Sequence, residues 1–346
     1  MRNLFSNFFK VGSVLLLSIN VCSAESLQKV IISSDQYAYV SLKTKENSWE
    51  ASKYDIRNKK LLKSDIEFKQ NKCYIGFNSI NPSGDKIILA GSCEIASAEY
   101  PPRYFYRLVI WDKKLNKQII FFDNAGAFTF SPGGDAIVYA EEIPGERGSP
   151  APPGYKGGVW LYDFNSKAKK QISKMDPPYI DLNWSEHDGN IYITDYRDVV
   201  RYNPRTGKSG IVPYKGIYFS PDGKYYVSIG IEEPSHLYRT CDNKQMVEWE
   251  KTIINTAKNA DRYIYSNFWS KKLNAAVFRI AAIENVVFDI KAGKVIGEFK
   301  GFVLGTNSQG TLVAVNPITP DGKWFDQSKV EILNLIELTS KYQSKK

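Results

Sequence analysis

Histidine and the motifs of common active sites are scarce in this sequence. Only two histidines are present: His187 lies inside a polar turn, and His236 lies in a short loop after Pro234. Neither is placed like a general base that a third residue holds in position. The motifs G-x-S-x-G, H-E-x-x-H and C-x-x-C do not occur, which argues against a serine-hydrolase elbow and against a zinc site. The sequence therefore favours a protein without a catalytic centre.

Clusters of one charge and long amphipathic helices are also lacking. Lysine and arginine number 46 against 37 aspartates and glutamates, and the formal net charge is +9. These basic residues are spread along the chain, whereas nucleic-acid-binding domains usually show a clustered basic stripe. We therefore expect no nucleic-acid partner. No segment of about 12 residues has the apolar period of an amphipathic helix, which argues against an α/β fold.

The first 24 residues have the features of a secretory signal peptide. Arg2 and Lys10 supply positive charge, Val11–Val21 is apolar, and Cys22-Ser23-Ala24 provides small residues before a cleavage site. The apolar stretch is shorter than the roughly 20 residues of a membrane span, so a retained anchor is the less favoured alternative. We predict a mature chain of residues 25–346, a periplasmic or secreted location and no transmembrane segment after cleavage.

Three cysteines remain in the mature chain: Cys73, Cys93 and Cys241. The first two lie ten residues before and after Ser83, the middle of the turn NPSGD. In an antiparallel hairpin centred on that turn they face each other, and export favours oxidation. We predict a Cys73–Cys93 disulfide, with two buried free thiols as the alternative, and we expect Cys241 to be buried.

Short alternating strands, separated by two kinds of turn, make up most of the chain. The first kind is clearest at 220–223 (SPDG), where proline sets φ, aspartate bonds its own backbone and glycine accepts a positive φ. The apolar and polar alternation on both sides predicts an antiparallel hairpin. Copies, some degenerate, are found at 34–36, 81–84, 131–134, 185–189, 220–223, 270–274 and 307–310.

The second kind of turn follows each turn of the first kind. An apolar strand ends in an aromatic or aliphatic residue and an Asp or Asn, and a polar turn follows. These Asp and Asn residues are Asp55, Asp112, Asp163, Asn203, Asp242, Asp289 and Asn334. Each unit is therefore predicted to be strand, turn, strand, variable loop, strand, turn, strand, which is the four-stranded meander of a propeller blade.

Repetition of this unit predicts a single all-β domain, a β-propeller over residues 25–346. Seven four-stranded blades fit the spacing best, with six or eight as alternatives. Radial stacking would bury both faces of each sheet, with strand aromatics such as Trp160, Tyr162, Tyr225 and Phe268 between the blades. A β-sandwich has no reason to alternate two turn types so strictly. Little chain follows Asn334, so we predict that Leu27–Ile32 supplies the strand that closes the ring.

The SPDG hairpin, followed by a D-x-x-x-G-K turn as in 289–294, resembles the TolB-like, WD-type propeller repeat of many exported bacterial proteins. The resemblance extends over nearly all of the mature chain and is clearest around Gly84, Gly134 and Gly223. It implies a propeller fold and an exported protein. TolB itself carries an α/β domain before its propeller, for which we see no counterpart, so the resemblance does not imply a role in the Tol system.

The loops between the second and third strands of each unit share one rim of the ring, here called the loop rim. Sequence spacing makes them longest in units 2, 3 and 7, as Ala96–Tyr104, Pro144–Gly157 and Asn316–Gln327. They combine proline with aromatic and basic residues, which are types that favour interfaces. The candidate binding residues are Tyr100, Arg103, Tyr104, Arg147, Tyr155, Lys156 and Trp324. Solvated insertions without a binding role are the alternative.

Two pairs of glutamates, Glu141-Glu142 and Glu232-Glu233, end second strands near the same rim. Neighbours in a strand point to opposite faces, so each pair offers at most one carboxylate to the centre. Calcium needs six or more oxygen ligands. We therefore expect no bound cofactor, with calcium as the one alternative.

The sequence thus predicts an exported, non-catalytic propeller that binds a protein of the cell envelope through the long loops of units 2, 3 and 7. The alternative is a propeller enzyme, a lactonase- or glycosidase-like hydrolase with a central carboxylate or calcium site. A third possibility is a structural subunit of a larger envelope assembly.

Overall fold

The structure, a computed structural model, describes residues 17–20, 26–32, 37–43, 49–58, 60–63, 73–95, 103–141, 157–175, 180–195, 198–228, 235–256, 265–280, 283–319, 326 and 329–344. These residues form 28 β-strands and two short helices. The strands pair into seven four-stranded sheets, all antiparallel within each sheet.

The strand bounds follow the predicted units closely. The first strand, β1 (Leu17–Asn20), pairs with a strand near the other end of the chain. Sheet 1 contains β2 (Ser26–Ile32), β3 (Tyr37–Lys43), β4 (Trp49–Asp55) and β5 (Lys60–Lys63). Sheet 2 contains β6 (Cys73–Ile80), β7 (Lys86–Ile95), β8 (Arg103–Asp112) and β9 (Lys117–Asp123). Sheet 3 contains β10 (Ala125–Phe130), β11 (Ala136–Glu141), β12 (Gly158–Asp163) and β13 (Lys169–Ser173).

The remaining sheets continue in the same order. Sheet 4 contains β14 (Asp181–Trp184), β15 (Ile191–Thr194), β16 (Val199–Tyr202) and β17 (Ser209–Val212). Sheet 5 contains β18 (Tyr218–Phe219), β19 (Tyr225–Val227), β20 (Leu237–Arg239) and β21 (Lys244–Gln245), and helix α1 (Val247–Ile254) follows it. Sheet 6 contains β22 (Tyr265–Ser270), β23 (Ala275–Arg279), β24 (Glu284–Asp289) and β25 (Lys294–Lys300). Sheet 7 contains β26 (Phe302–Thr306), β27 (Leu312–Asn316), β28 (Lys329–Asn334) and β1, and helix α2 (Leu335–Gln343) follows β28.

The apolar core is divided among the spaces between neighbouring sheets. Among the described side chains, one cluster lies between each sheet and the next around the ring. For example, Val138 of sheet 3 packs with Ile191 of sheet 4. Val30 of sheet 1 packs with Leu304 of sheet 7, so the sheets form a closed ring. The prediction of a single all-β propeller of four-stranded units is confirmed.

The strand aromatics lie in these spaces, as the sequence predicts. Trp160 and Tyr162 pack against the cluster between sheets 2 and 3. Tyr225 packs between sheets 5 and 6, and Phe268 packs between sheets 6 and 7. These residues therefore contribute to the packing that stabilises the ring.

The first turns that contain Gly134 and Gly223 use glycine for two reasons. Gly134 has a φ of +75°, which costs a residue with a Cβ roughly 1–2 kcal/mol. It also touches the turn of the neighbouring sheet, because a Cβ at Gly134 would lie 2.6 Å from Nδ2 of Asn81. Gly223 also has a positive φ (+68°), and a Cβ at this position would overlap the His187 ring of sheet 4. These turns therefore pack against one another along one rim, here called the turn rim.

The second turn is held by the predicted Asp or Asn. The Asp163 carboxylate accepts the backbone N–H of Asn165 at 3.0 Å and of Ser166 at 2.7 Å. The hydrogen bonds from Ser166 lower the pKa of Asp163 below its ordinary value. Asn203 accepts the backbone N–H of Arg205 and of Thr206 in the same way. This is the Asx turn, in which a side chain replaces a backbone acceptor.

The end of the chain differs from the expectation. Asn334 accepts the backbone N–H groups of Ile336 and Glu337, but the chain continues as α2 and not as a fourth strand. The prediction that Leu27–Ile32 closes the ring is wrong, because these residues belong to β2 and pair with β3 of sheet 1. Leu17–Asn20 pairs with β28 instead. The signal peptide over residues 1–24, which contains this strand, stays a prediction.

Both helices pack around the outer strand of sheet 6. Ile253 of α1 is fully buried in the cluster that includes Val295 of β25. Leu338 of α2 packs against the cluster that includes Ile296. Each helix is shorter than 12 residues, so neither gives a strong periodic signal in the sequence. Neither described helix has the length and apolar character needed to cross a membrane.

The predicted disulfide between Cys73 and Cys93 is present, and the two residues face each other in the β6–β7 register. The expectation that Cys241 is buried is wrong, because its side chain is exposed. Cys241 lies in the tight turn between β20 and β21, and turns of this kind usually lie at the protein surface.

Candidate protein-binding surface

The predicted loop residues lie mostly outside the described part of the chain. Tyr100, Arg147, Tyr155, Lys156 and Trp324 all fall in this category. Their positions are bracketed by described strands that end at the loop rim, as the second and third strands of sheets 2, 3 and 7 do.

Arg103 and Tyr104 belong to a strand and not to a loop. They begin β8 and pair with Ile95 and Glu94 of β7. The extra residues that sequence spacing assigned to the second loop of this unit are therefore used largely to lengthen two strands. The connection left between β7 and β8 is 96–102.

In sheet 2, the second and third strands extend further at the loop rim than the outer strand β9. β7 and β8 have 10 residues each, and they remain paired for four positions beyond Arg107, where β9 ends opposite at Asp123. The Cys73–Cys93 disulfide ties this projecting hairpin to β6. A two-stranded ribbon alone is only marginally stable, so the disulfide gives the projection a fixed position.

A cluster of aromatic, basic and acidic side chains lies at the base of this projection. It consists of Phe105, Arg107, Phe121 and Asp123, and is here called the sheet 2 cluster. The Arg107 guanidinium lies 5.1 Å from the Phe105 ring centroid and 4.7 Å from that of Phe121. Its Nη2 donates to Oδ2 of Asp123 at 2.8 Å, and its Nε donates to Oδ1. The forked bond and the two rings fix the guanidinium in one orientation.

This cluster combines burial with an exposed apolar surface. The Arg107 side chain is 11% exposed, whereas Phe121 is 48% exposed. Exposed aromatics beside a fixed arginine are the residue types that carry most binding energy at protein interfaces. These residues are not among those predicted from the sequence. The available signal was the pair of aromatic residues Phe121-Phe122 in an outer strand.

A second depression lies on the turn rim, between sheets 4, 5 and 6. Its volume is about 150 Å³, and it is lined by Trp184, His187, Pro221 and Trp269 among others. Both indole N–H groups are used within the protein, on the carbonyls of Gly189 and Tyr218. An ion pair between Lys271 and Glu186 crosses it. The depression therefore lies where three sheets meet. Its two indole N–H groups and its ion pair are already engaged within the protein.

His236 is held in position by other side chains, which corrects the sequence-based expectation. Its Nδ1 lies 3.3 Å from Oε2 of Glu250 and 2.9 Å from Nε2 of Gln245. The buried Glu250 also accepts the backbone N–H of Leu237 at 2.8 Å. Glu250 belongs to α1, so this group attaches the helix to β20.

A cleft of about 570 Å³ lies between α1, β25 and α2. Thr252, Lys294 and Glu298 line it, and the Tyr342 hydroxyl donates to Oε1 of Glu298 at 2.6 Å. Burial, together with this hydrogen bond and the nearby carboxylate charge, raises the pKa of Tyr342 to about 12. Tyr342 therefore stays neutral and donates across the physiological pH range, which holds α2 against β25.

The described residues contain no group of three or more metal-ligating side chains. Glu141 pairs with Lys169 at 3.8 Å, while Glu142, Glu232 and Glu233 lie outside the description. Asp181, at the loop-rim end of the inner strand β14, has its pKa raised by burial. One carboxylate does not make a calcium site.

The solved structures that resemble this chain agree with it in fold and differ from it in sequence. No protein-family model matches the chain, and no curated protein matches its sequence. The propeller domain of the Trilobed protease from Pyrococcus furiosus, described as having an open velcro topology, aligns with a TM-score of 0.53 and 15% identity. That alignment covers 84% of this chain and 89% of the other. The WD40 repeats of RRP9 align with a TM-score of 0.53 and 9% identity, over 91% of this chain and 99% of theirs.

This chain shares the β-propeller fold of these two proteins. TolB from Acinetobacter baumannii aligns with a TM-score of 0.41 and 14% identity, over 75% of this chain and 62% of that one. At these identities the likeness concerns the propeller fold and not the function.

Proposed function

We propose that this protein is an exported, non-catalytic seven-bladed β-propeller that binds a protein partner of the cell envelope at the loop rim. The binding surface comprises the projecting hairpin of sheet 2, its cluster, and the long connections of sheets 3 and 7 on the same rim. The observation that carries the proposal is the sheet 2 cluster, where Arg107 is fixed between two aromatic rings beside exposed apolar surface.

The pre-formed geometry of the cluster supports binding. Ordering a free arginine side chain at an interface costs roughly 0.5–1.5 kcal/mol. Arg107 is already ordered by Asp123 and the two rings, so a partner would meet a fixed surface. The WD40 and TolB-like fold is consistent with a binding scaffold, since such rings present loops on a rigid frame.

Two observations support export. The N-terminal 24 residues have the charge, apolar stretch and small residues of a signal peptide. The Cys73–Cys93 bond is of a kind that persists in oxidising compartments and is rare in the cytosol.

The first test is crosslinking and co-purification from the native envelope fraction, with the double variant Arg107→Ala and Phe121→Ser. Both side chains lie at the loop rim, and Phe121 is half exposed, so the ring should stay folded. We expect the crosslinked partner, identified by mass spectrometry, to be lost. The matched control is Leu115→Ser, which removes an exposed apolar side chain (59% exposed) from the same sheet at the opposite rim. Capture that is equal in all three proteins would overturn the proposal.

A second variant addresses the loop residues predicted from the sequence. Alanine at Tyr104, Arg147 and Trp324 together should also abolish capture, with unchanged thermal unfolding. If this variant binds normally while the double variant does not, the surface is confined to sheet 2.

A further inference from the structure

Sheet 7 has no fourth strand of its own after β28. In sheets 1 to 6 the chain continues from the third strand, through the second turn, into an outer strand. In sheet 7 Asn334 caps α2, and α2 leaves to pack against β25 of sheet 6. In sheets 1 to 6 the outer edge of the third strand is covered by the strand that follows it in the chain. The outer edge of β28 has no such following strand.

The segment that pairs with this edge is Leu17–Asn20. It lies inside Val11–Val21, the apolar stretch of the predicted signal peptide. A segment that is cut away cannot also remain in a sheet, so cleavage after Ala24 leaves the β28 edge without a partner. Unpaired backbone N–H and C=O groups along a strand edge are a template for another strand.

The alternation of buried apolar and polar residues in β28 determines which residues a strand paired with its outer edge can carry. Val330 and Ile332 are 0% and 2% exposed and belong to the core between sheets 7 and 1. They lie opposite positions 19 and 17, so a strand at this edge needs apolar residues there. Glu331 and Lys329 alternate with them and lie opposite positions 18 and 20, which therefore suit polar residues.

The β28 edge is also better suited to pairing than several of the other outer edges. The registers of β9, β13 and β25 with their neighbours each contain an irregularity. Such irregularities discourage pairing with a further strand. The register of β28 is regular both with β27 and with β1.

We propose that, in the processed protein, the β28 edge binds an extended segment of a partner protein by antiparallel strand addition. The segment carries apolar residues opposite Val330 and Ile332 and polar residues between them. This site lies on the outer side of sheet 7 and extends the proposed function beyond the loop rim. Both proposals assume that the signal peptide is cleaved, and this one rests on no other part of the proposed function.

The test begins with the protein isolated from its native envelope, whose N-terminus is determined by intact mass. We expect it to begin at Glu25. The probe is a labelled synthetic peptide of residues 15–21, compared with a peptide of the same composition in which Leu17 is exchanged with Ser18 and Ile19 with Asn20. This exchange moves the apolar residues to the other face of the strand. We expect saturable binding of the first peptide, by fluorescence anisotropy, and about tenfold weaker binding of the second.

Disulfide trapping fixes the register. In a Cys241→Ser background, Glu331→Cys should crosslink to a peptide carrying Ser18→Cys, whereas Asn334→Cys, outside the paired positions, should not. A native protein that retains residues 17–20, equal or absent binding of the two peptides, or equal crosslinking at both sites would each overturn the proposal. The loop-rim variant Arg107→Ala with Phe121→Ser should still bind the peptide, so failure of this inference is distinguishable from failure of the proposed function.

Discussion

Gly134 illustrates how one position meets two independent demands. Its backbone has a positive φ, which the turn requires, and its α-carbon lies against Asn81 of the preceding sheet. Nδ2 of Asn81 donates to the Gly134 carbonyl at 3.2 Å, so the contact also carries a hydrogen bond between sheets. A side chain here would disturb a turn and an inter-sheet contact at once.

We expect Gly134→Ala to lower the free energy of unfolding by about 2 kcal/mol, from the positive φ and the contact with Asn81. Urea denaturation followed by tryptophan fluorescence measures this. The adjacent Gly133→Ala is the control, because it is exposed, has no positive φ and its added Cβ would lie 3.4 Å from Asp135. Equal effects of the two substitutions would contradict this explanation.

Asp85 makes stability depend on pH in a defined direction. Burial alone would raise its pKa, but hydrogen bonds from Ser83, Asn81 and Lys86 outweigh burial and hold it well below the ordinary value. A carboxyl whose folded pKa is depressed contributes stability that is present above its unfolded pKa, near 4, and lost as pH falls through the folded pKa. We expect Asp85→Asn to be less stable than the natural protein at pH 7, with the difference shrinking below pH 4.

Urea titrations at pH 7 and pH 3 give the comparison, with Asp198→Asn, an exposed carboxylate, as the control. A difference between Asp85→Asn and the natural protein that is the same at both pH values would show that Asp85 acts only through neutral hydrogen bonding.

At the scale of elements, the same side-chain cap at the end of a third strand is followed by a strand in sheet 3 and by the helix α2 in sheet 7. Asp163 and Asn334 both accept N–H groups from two and three residues further along the chain. In sheet 3 a polar turn and a strand follow, whereas Leu335–Gln343 carries apolar residues at helical spacing and buries Leu335 fully. The helix then meets β25 at Gly297, where the lack of a side chain permits close approach.

We expect Gly297→Ala to destabilise the protein by roughly 1–3 kcal/mol, because its Cβ would lie 2.5 Å from Cδ2 of Leu338. Combining it with Leu338→Ala should recover part of that loss, which a double-mutant cycle measures. Gly210→Ala is the control, since no atom lies within 4 Å of the added Cβ. Additive effects of the two substitutions would show that α2 does not contact β25 at this point.

The disulfide acts on a single hairpin. It joins residues 20 apart, and loss of such a crosslink typically costs about 3 kcal/mol. We expect the pair of substitutions Cys73→Ser and Cys93→Ser to lower the melting temperature and to weaken partner capture, because the projecting part of sheet 2 loses its tie to β6. Cys241→Ser, at an exposed thiol, should change neither. Unchanged capture by the double serine variant would place the binding surface away from this hairpin.

At the scale of the whole molecule, local signals predicted most of the ring. The turn residues around Gly134 and Gly223 and the Asp of each second turn located the hairpins, because each residue type has its own backbone reason to be there. The Cys73–Cys93 pairing followed from the register of one hairpin.

What the sequence did not predict depends on contacts between distant segments. The sheet 2 cluster requires Arg107 and Phe121 from two strands to meet, and the depression on the turn rim requires Trp184 and Trp269 from different sheets. The closing strand pairs residues 17 and 332, and no local pattern fixes such a pair. Both helices were missed because each is short and relies on packing against β25.

The division of the core into separate clusters has a mechanical consequence at the junction of sheets 7 and 1. Every other pair of neighbouring sheets is joined by a continuous peptide chain as well as by side-chain packing. Sheets 7 and 1 are joined by the segment that connects β1 to β2, which contains the predicted cleavage site after Ala24. In a chain cut at this site, only the packing of residues such as Val30 against Leu304 would keep the two sheets together. We therefore expect a processed chain to open first at this junction, where no covalent bond has to break.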